Sequence, residues 1–178
     1  MIVWYYQTQE AERFRNEGLS VTIVPALRLA EYPELILRLG DVTGKRERAR
    51  KLAEAFHRQL ERLSVPEEVS VRRVCFELYS PGKIVGDASY LGDLIRAAGG
   101  KSIVPKTGLI SAEAVIEAAP EVIFYVEGFG SAAEIAARSA YAGTPAVRNG
   151  RICAVPRRLT VEGGAPLETI DFLKHYMR

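Results

Sequence analysis

Residues suited to ligand binding follow the predicted strands of this sequence, at the point where each strand ends. In open α/β sheets, ligands bind beyond the carboxyl ends of the parallel strands. The candidate ligand-binding residues are Tyr79, Ser80, Tyr90, Glu127, Phe129, Arg157 and Arg158. Aromatic rings offer stacking area and guanidinium groups pair with carboxylates, so this set favours a large planar or anionic ligand. Each residue is also compatible with an ordinary polar loop.

The same sequence gives little support for catalysis. His57 and His175 lie far apart, and neither a serine elbow nor a cysteine beside a base is present. The Gly128-Phe129-Gly130 segment lacks the third glycine of a dinucleotide-binding turn. No His, Asp or Glu cluster has the spacing of a metal site. We therefore predict a binding protein, not an enzyme, with no cofactor and no metal held by bare side chains.

Short apolar runs alternate with helical stretches along the chain, a pattern typical of a parallel sheet covered by helices on both faces. The predicted strands are 2–6, 21–24, 71–78, 122–126 and 152–155, with a weaker one at 102–104. Each run is bounded by Gly, Pro or polar residues. The fold class is therefore α/β.

Helix signals fall between these strands. Apolar spacing over 91–98 ends at Gly99-Gly100, and a last helix is predicted at 167–177. Ser131 with Glu134 forms a capping box for a helix running to Ser139. Ser111 caps another helix that ends at Pro120, with Ile110 and Val115 as a hydrophobic staple. These helices supply the outer layers that such a sheet requires.

One segment, 45–63, predicts a long amphipathic helix. Its apolar stripe consists of Ala49, Leu52, Ala53, Phe56, Leu60 and Leu63. Its seven basic and three acidic residues are read as a solvated face. The helix divides the chain into a strand-helix-strand-helix segment at 1–44 and a fuller α/β unit at 64–178.

The composition is that of an ordinary globular protein. Of 178 residues, 48% are hydrophobic and 26% charged, and the net charge of +2 disfavours nucleic acid as a partner. No apolar run is long enough to cross a bilayer, and the first residues lack the basic start of a signal peptide. Cys75 and Cys153 each lie in an apolar run, which favours buried free thiols over a disulfide.

Several motifs from residue 39 onward carry a family resemblance. They are LGDVTG at 39–44, GKIVGDASYLGDLIRAAGGKSI at 82–103, ISAEAVIEAAPEVI at 110–123, VRNGRICAVP at 147–156 and GAP at 164–166. In this order they resemble the helical-backbone (class III) periplasmic binding proteins for cobalamin, haem and ferric siderophores. The resemblance covers about residue 35 to the end. Residues 1–44 match only the last part of that family's first lobe.

The resemblance implies a fold and a role. Residues 64–178 would form a three-layer, Rossmann-like C-terminal lobe, 45–63 the interdomain helix, and 1–44 the remainder of an N-terminal lobe that is mostly missing. The function implied is solute binding for an ABC importer of a metal chelate, with an ABC permease as partner. The protein would work outside the cytoplasm if its full gene carries a signal.

Glu113 is the candidate for contact with the permease. The resembled family uses a glutamate at this Ser-x-Glu position to dock onto permease arginines, and Ser111-Ala112-Glu113 matches it. An acidic residue in a first helical turn is also favoured by the helix dipole alone. Both explanations stay open at this stage.

An alternative hypothesis is that the chain is a stand-alone α/β module, which self-associates as a scaffold or binds an intracellular cofactor. Apolar surface left bare by a missing lobe, including Trp4, Tyr5 and Tyr6, would then need a partner. This reading predicts a homo-oligomer.

Overall fold

The computed structural model describes residues 1–65 and 71–177, and within them the strands form a two-stranded sheet and a separate, mostly parallel six-stranded sheet. The strands are β1 (Ile2–Trp4), β2 (Thr22–Val24), β3 (Arg72–Glu77), β4 (Lys83–Ile84), β5 (Gly100–Ser102), β6 (Gly108–Leu109), β7 (Val122–Val126) and β8 (Ile152–Val155). The α-helices are α1 (Thr8–Asn16), α2 (Tyr32–Val42), α3 (Arg46–Leu63), α4 (Tyr90–Ala97), α5 (Ala112–Ala118), α6 (Ala132–Ala137), α7 (Ser139–Ala142), α8 (Pro145–Arg148) and α9 (Pro166–Met177). Short 3-10 helices lie at Leu29–Glu31 and Arg157–Leu159.

The chain divides into two units, Met1–Gln59 and Leu60–Arg178. The boundary lies inside α3, one continuous helix of 18 residues, so the long helix predicted at 45–63 is confirmed. The assignment of the flanking segments to two lobes stays a prediction.

In the first unit, β1 and β2 form a parallel pair joined through α1. α2 packs closely on α3, because a Cβ on Gly40 would come within 2.3 Å of the Ala49 Cβ. The rings of Tyr32 and Phe56 stack with centroids 5.5 Å apart. The predicted stripe on α3 is only partly correct, since Leu52 is exposed while Ala49 and Phe56 are buried.

In the second unit, β3 lies in the middle of the sheet. It pairs in parallel with β5 and β7, and β7 pairs in parallel with β8. Every residue of β7 is buried, as expected for a strand covered on both faces. The predicted α/β fold with a mostly parallel sheet is thus confirmed.

Helices cover both faces of this sheet. Cys75, Ile123 and Tyr125 pack in one cluster with residues of α5, α6, α7 and α8. On the other face, the ring of Phe124 contacts Phe76 and Tyr176 of α9, and α9 also packs against α4. Successive side chains along a strand therefore pack against the helix layers on opposite faces of the sheet.

Two strands escaped prediction. β4 and β6 are antiparallel additions at the edge of the sheet, next to the second half of β3. Each has two residues, too few for an alternating or apolar pattern. The weak strand expected at 102–104 lies instead at β5, where Gly100 leaves room for the sulfur of Met177 and the side chain of Val74.

One helix prediction needs correction. The helix expected to run from Ser131 to Ser139 ends at Ala137, and Arg138 is extended before α7 begins at Ser139. The Arg138 side chain reaches Glu77 from that break. The helix capped by Ser111 is stopped ahead of Pro120 as predicted: it ends at Ala118, and Ala119 adopts a left-handed conformation.

Both cysteines are free, as predicted. Cys75 is fully buried, but Cys153 is only partly buried, since β8 carries intermediate exposure over its first three residues. Within the described part of the chain, no helix combines the length and apolar character needed to cross a bilayer.

Candidate functional site

The carboxyl ends of three parallel strands meet at one edge of the sheet. Glu77, near the end of β3, is in register with Tyr125 of β7, and Val126 is in register with Val155 of β8. The Glu127 amide donates to the Val155 carbonyl at 2.9 Å, which extends the pairing past the strand end. Residues that follow these strands therefore come close together, as the sequence predicted.

Tyr79, Phe129 and Arg157 form a contacting group at this edge, called here the strand-end cluster. The rings of Tyr79 and Phe129 meet edge to face with centroids 5.0 Å apart. The Arg157 guanidinium carbon lies 5.9 Å from the Phe129 ring centroid. Tyr79 is 44% exposed and Phe129 37% exposed. The cluster thus presents aromatic area and a positive charge to a ligand at the surface.

Arg158 does not join the strand-end cluster. Its guanidinium pairs with Glu168, donating from Nη1 to a carboxylate oxygen at 2.7 Å. Hydrogen bonding from Arg158 lowers the pKa of the Glu168 carboxyl, and the same contact raises the pKa of Arg158. The cation predicted for ligand binding at 158 is therefore already engaged with a carboxylate.

The remaining predicted ligand residues occupy different environments. Ser80 and Glu127 are exposed beside the strand ends, and the Ser80 carbonyl accepts from the Lys83 amide at 3.1 Å. Tyr90 begins α4 and is 97% buried in the core, so its ring does not reach the surface that Tyr79 and Phe129 share. Its role in ligand binding stays a prediction.

A buried acidic residue, Glu77, escaped the sequence analysis. Its side chain is 1% exposed, and both carboxylate oxygens accept from Arg138 Nη1, at 2.7 and 2.9 Å. Tyr141 Oη and the Gly82 amide also donate to it, at 3.1 and 2.9 Å. A glutamate inside the apolar run 74–78 was the available signal, because a charge buried in a strand requires partners.

Cys75 lies next to this network but is chemically quiet. Its sulfur is 3.8 Å from Tyr141 Oη, and burial raises the pKa of its thiol to about 12. Burial also raises the pKa of Tyr141. Both groups are therefore neutral near pH 7, and Cys75 is not activated as a nucleophile.

Glu113 lies in the first turn of α5 and is fully exposed. Ser111 caps this helix, its hydroxyl accepting from the Ala114 amide at 3.2 Å. Hydrogen bonds from the Glu113 amide and the Ser111 hydroxyl lower the pKa of the Glu113 carboxyl. Ile116, one turn along the same face, is 58% exposed. The helix therefore presents a charged carboxylate beside an exposed apolar side chain.

Across residues 1–65 and 71–177, no group of three or more His, Cys, Asp or Glu side chains is arranged to hold a metal ion.

The family comparison covers most of the chain. The sequence model of the periplasmic binding protein family matches residues 2–159. No curated protein matches the chain in sequence.

Solved structures share the fold over nearly the whole chain. The periplasmic haem-binding protein RhuT from Roseiflexus sp. RS-1, in its apo form, is 18% identical with a TM-score of 0.84, covering 99% of this chain and 76% of its own. The periplasmic haem-binding protein BhuT in complex with two haems is 19% identical with a TM-score of 0.85, covering 99% and 73%. A possible iron-binding protein from Staphylococcus epidermidis ATCC 12228 is 20% identical with a TM-score of 0.81, covering 99% and 75%.

At these identities the likeness to solved structures demonstrates a common fold. The family match rests on the sequence itself and spans both units of the chain. This chain therefore belongs to the periplasmic binding protein family.

Proposed function

We propose that this chain is a solute-binding component of an ABC importer for a metal chelate, such as haem, a ferric siderophore or cobalamin. The observation that carries the proposal is the strand-end cluster, with two exposed aromatic rings and Arg157 in contact at the sheet edge where ligands of such folds bind. Members of this family bind solutes and are not enzymes.

The chemistry of the cluster suits haem best among the three chelates. Haem combines a flat macrocycle with carboxylates, which match the rings of Tyr79 and Phe129 and the guanidinium of Arg157. Three of the similar solved structures are described as haem-binding proteins. The iron or cobalt would arrive inside its organic chelate, as cargo and not as a resident cofactor.

Contact with the permease would involve Glu113. Its carboxylate is charged at neutral pH, fully exposed and beside exposed Ile116. Such a pairing of charge and apolar surface suits docking onto an arginine at a partner surface. Members of this family act outside the cytoplasm, and we place this chain there as well.

The test is an absorbance titration of the full chain with haem, cobalamin and a ferric siderophore. We expect haem to bind, and Arg157→Gln to weaken that binding about tenfold through loss of a charge-assisted contact. Arg158→Gln is the matched control. It removes the same charge at the neighbouring residue, whose side chain is already paired with Glu168. Absence of binding by all three chelates, or equal losses in both variants, would contradict the proposal.

A second candidate role is self-association of the first unit. Tyr5 and Tyr6 are both exposed, and their rings contact each other with centroids 5.3 Å apart. Exposed aromatic surface of this kind favours a protein partner, here a second copy of the chain. Sedimentation velocity of the full chain and of a Tyr5→Ser, Tyr6→Ser variant tests this. A monomer at all concentrations would rule the role out.

A further inference from the structure

We infer that Glu77 is a positioning residue for the strand-end cluster. Its buried carboxylate holds the turn that carries Tyr79, and it also holds Arg138, which lies beside the glycine that follows Phe129. The consequence for ligand affinity rests on the proposed function. The effect on the cluster itself does not, and it is measured without ligand.

Glu77 joins segments that are distant in sequence. Its carboxylate accepts from the Gly82 amide in the turn after β3, from Arg138 at the break between α6 and α7, and from Tyr141 within α7. A buried carboxylate is costly without charge and hydrogen-bond partners. Because every one of these donors is directed to one point, any shift of a segment would leave a buried charge less well paired.

The first of these links sets the turn that carries Tyr79. Gly82 has φ +75°, and its amide donates to Glu77 at 2.9 Å. The Leu78 amide donates to the Lys83 carbonyl at 2.9 Å, which closes the turn around Tyr79. The Tyr79 ring then meets Phe129. Glu77 thus holds the turn from inside while its aromatic residue faces solvent.

The second link holds Arg138, whose guanidinium lies beside the glycine that follows Phe129. Arg138 donates a hydrogen bond from Nη1 to the Glu77 carboxylate. Its other terminal nitrogen, Nη2, lies about 4.0 Å from the position that a Cβ on Gly130 would take. Gly130 directly follows Phe129. The break in the helix at Arg138 is what allows its side chain to reach the end of β3. Glu77 therefore holds the turn that carries Tyr79 and also holds Arg138 beside the glycine that follows Phe129.

The same turn also reaches the helix that bears Glu113. The Ile110 amide donates to the Gly82 carbonyl at 3.0 Å, and Ile110 precedes Ser111, the cap of α5. A change at Glu77 that loosens Gly82 would therefore affect both the turn that carries Tyr79 and the start of α5.

The decisive experiment compares Glu77→Gln with the unaltered chain in the absence of ligand, by NMR. Glutamine keeps the shape and an acceptor but removes the charge that Arg138 pairs with. We expect faster hydrogen exchange at the Gly82 amide and a weaker nuclear Overhauser contact between the Tyr79 and Phe129 rings, with a smaller loss of protection at the amides of β7. Glu168→Gln is the control, because it neutralises the exposed carboxylate paired with Arg158.

Two ligand-free results would overturn the inference. One is an unchanged Gly82 exchange rate and ring contact in Glu77→Gln. The other is a loss of protection throughout β7 as large as the loss at Gly82, which would make Glu77 a general support of the fold. If Glu77→Gln does not fold, Tyr141→Phe removes one donor from the same carboxylate and leaves its charge pair in place. We expect the same changes at smaller size, and their absence would also overturn the inference.

A second arm uses haem as the probe in a double-mutant cycle of Glu77→Gln and Tyr79→Ala. Each change alone is expected to weaken binding about tenfold, whereas the double variant binds no worse than Tyr79→Ala alone. Simple multiplication of the two losses would show that Glu77 does not act through Tyr79. If the unaltered chain binds no haem, the proposed function fails while the ligand-free comparison still decides the role of Glu77.

Discussion

Two arginine–carboxylate pairs near the strand-end surface use the same groups in opposite surroundings. The Glu77 side chain is 1% exposed and accepts from Arg138, Tyr141 and the Gly82 amide. The Glu168 side chain is 52% exposed and pairs with Arg158 across the start of α9. In the buried pair the protein replaces water as the source of hydrogen bonds, whereas water still surrounds the exposed pair. Geometry alone therefore says little about what each pair contributes.

A third carboxylate lies between these extremes. The Glu121 side chain is 23% exposed and accepts from the Arg73 amide at 3.0 Å and from Arg72 Nη1 at 3.2 Å. It precedes β7 and links that strand to the start of β3. The three carboxylates form a graded series in which the effect of a substitution should fall as exposure rises.

The largest effect is expected from Arg138→Met. Methionine preserves much of the side-chain volume but leaves the Glu77 carboxylate buried without its cation. Removing one partner of a buried pair costs about 3–5 kcal/mol. Native-state hydrogen exchange of the β7 amides measures the free energy of opening of the second unit. A loss of less than about 1 kcal/mol would mean that Tyr141 and the Gly82 amide stabilise the charge by themselves.

The sequence was sufficient for elements whose signals are local. Strands 122–126 and 152–155 match the structure at both ends, and the Ser111 and Ser131 caps accept the expected amides. These signals depend on neighbouring residues, either an apolar run or a capping side chain near its helix.

Contacts made over long distances along the chain could not be predicted in the same way. Glu77 and Arg138 are 61 residues apart, and nothing local identifies one as the partner of the other. The sequence placed Arg157 only slightly ahead of Arg158, and in the structure the guanidinium of Arg157 lies over the Phe129 ring. The difference between the two arginines depends on the pairing of Arg158 with Glu168, a residue of α9 that is distant from the strand ends in sequence.

An intermediate and pH-dependent effect is expected at Glu121. Its hydrogen bond from the Arg73 amide, with further contacts to Arg72, lowers the pKa of its carboxyl below the ordinary value. The charged form is thus favoured by folding, so this stabilisation is complete above the unfolded pKa, near 4.3. It is lost as the pH falls through the lower, folded pKa.

Glu121→Gln should therefore lower the free energy of unfolding by about 1 kcal/mol at pH 7. The difference from the unaltered chain should begin to shrink as the pH falls below the unfolded pKa near 4.3, and it should vanish below the lower, folded pKa, where Glu121 is protonated in both states. Urea denaturation followed by circular dichroism at several pH values tests this. A difference that stays constant down to acidic pH would place the effect in packing and not in the charge.

The smallest effect is expected at the exposed pair. In Glu168→Gln the Arg158 guanidinium loses its carboxylate partner but stays exposed to water. Water then hydrogen-bonds to the guanidinium in place of the carboxylate, so little stability is lost. We expect no measurable change in the urea midpoint at physiological salt, although Arg158 makes the shorter hydrogen bonds of the two arginines compared here. A loss of stability comparable to that of Arg138→Met would show that the contribution of an ion pair to stability does not depend on its burial. A small loss that appears only at low salt would instead support that dependence, since screening acts on exposed charges.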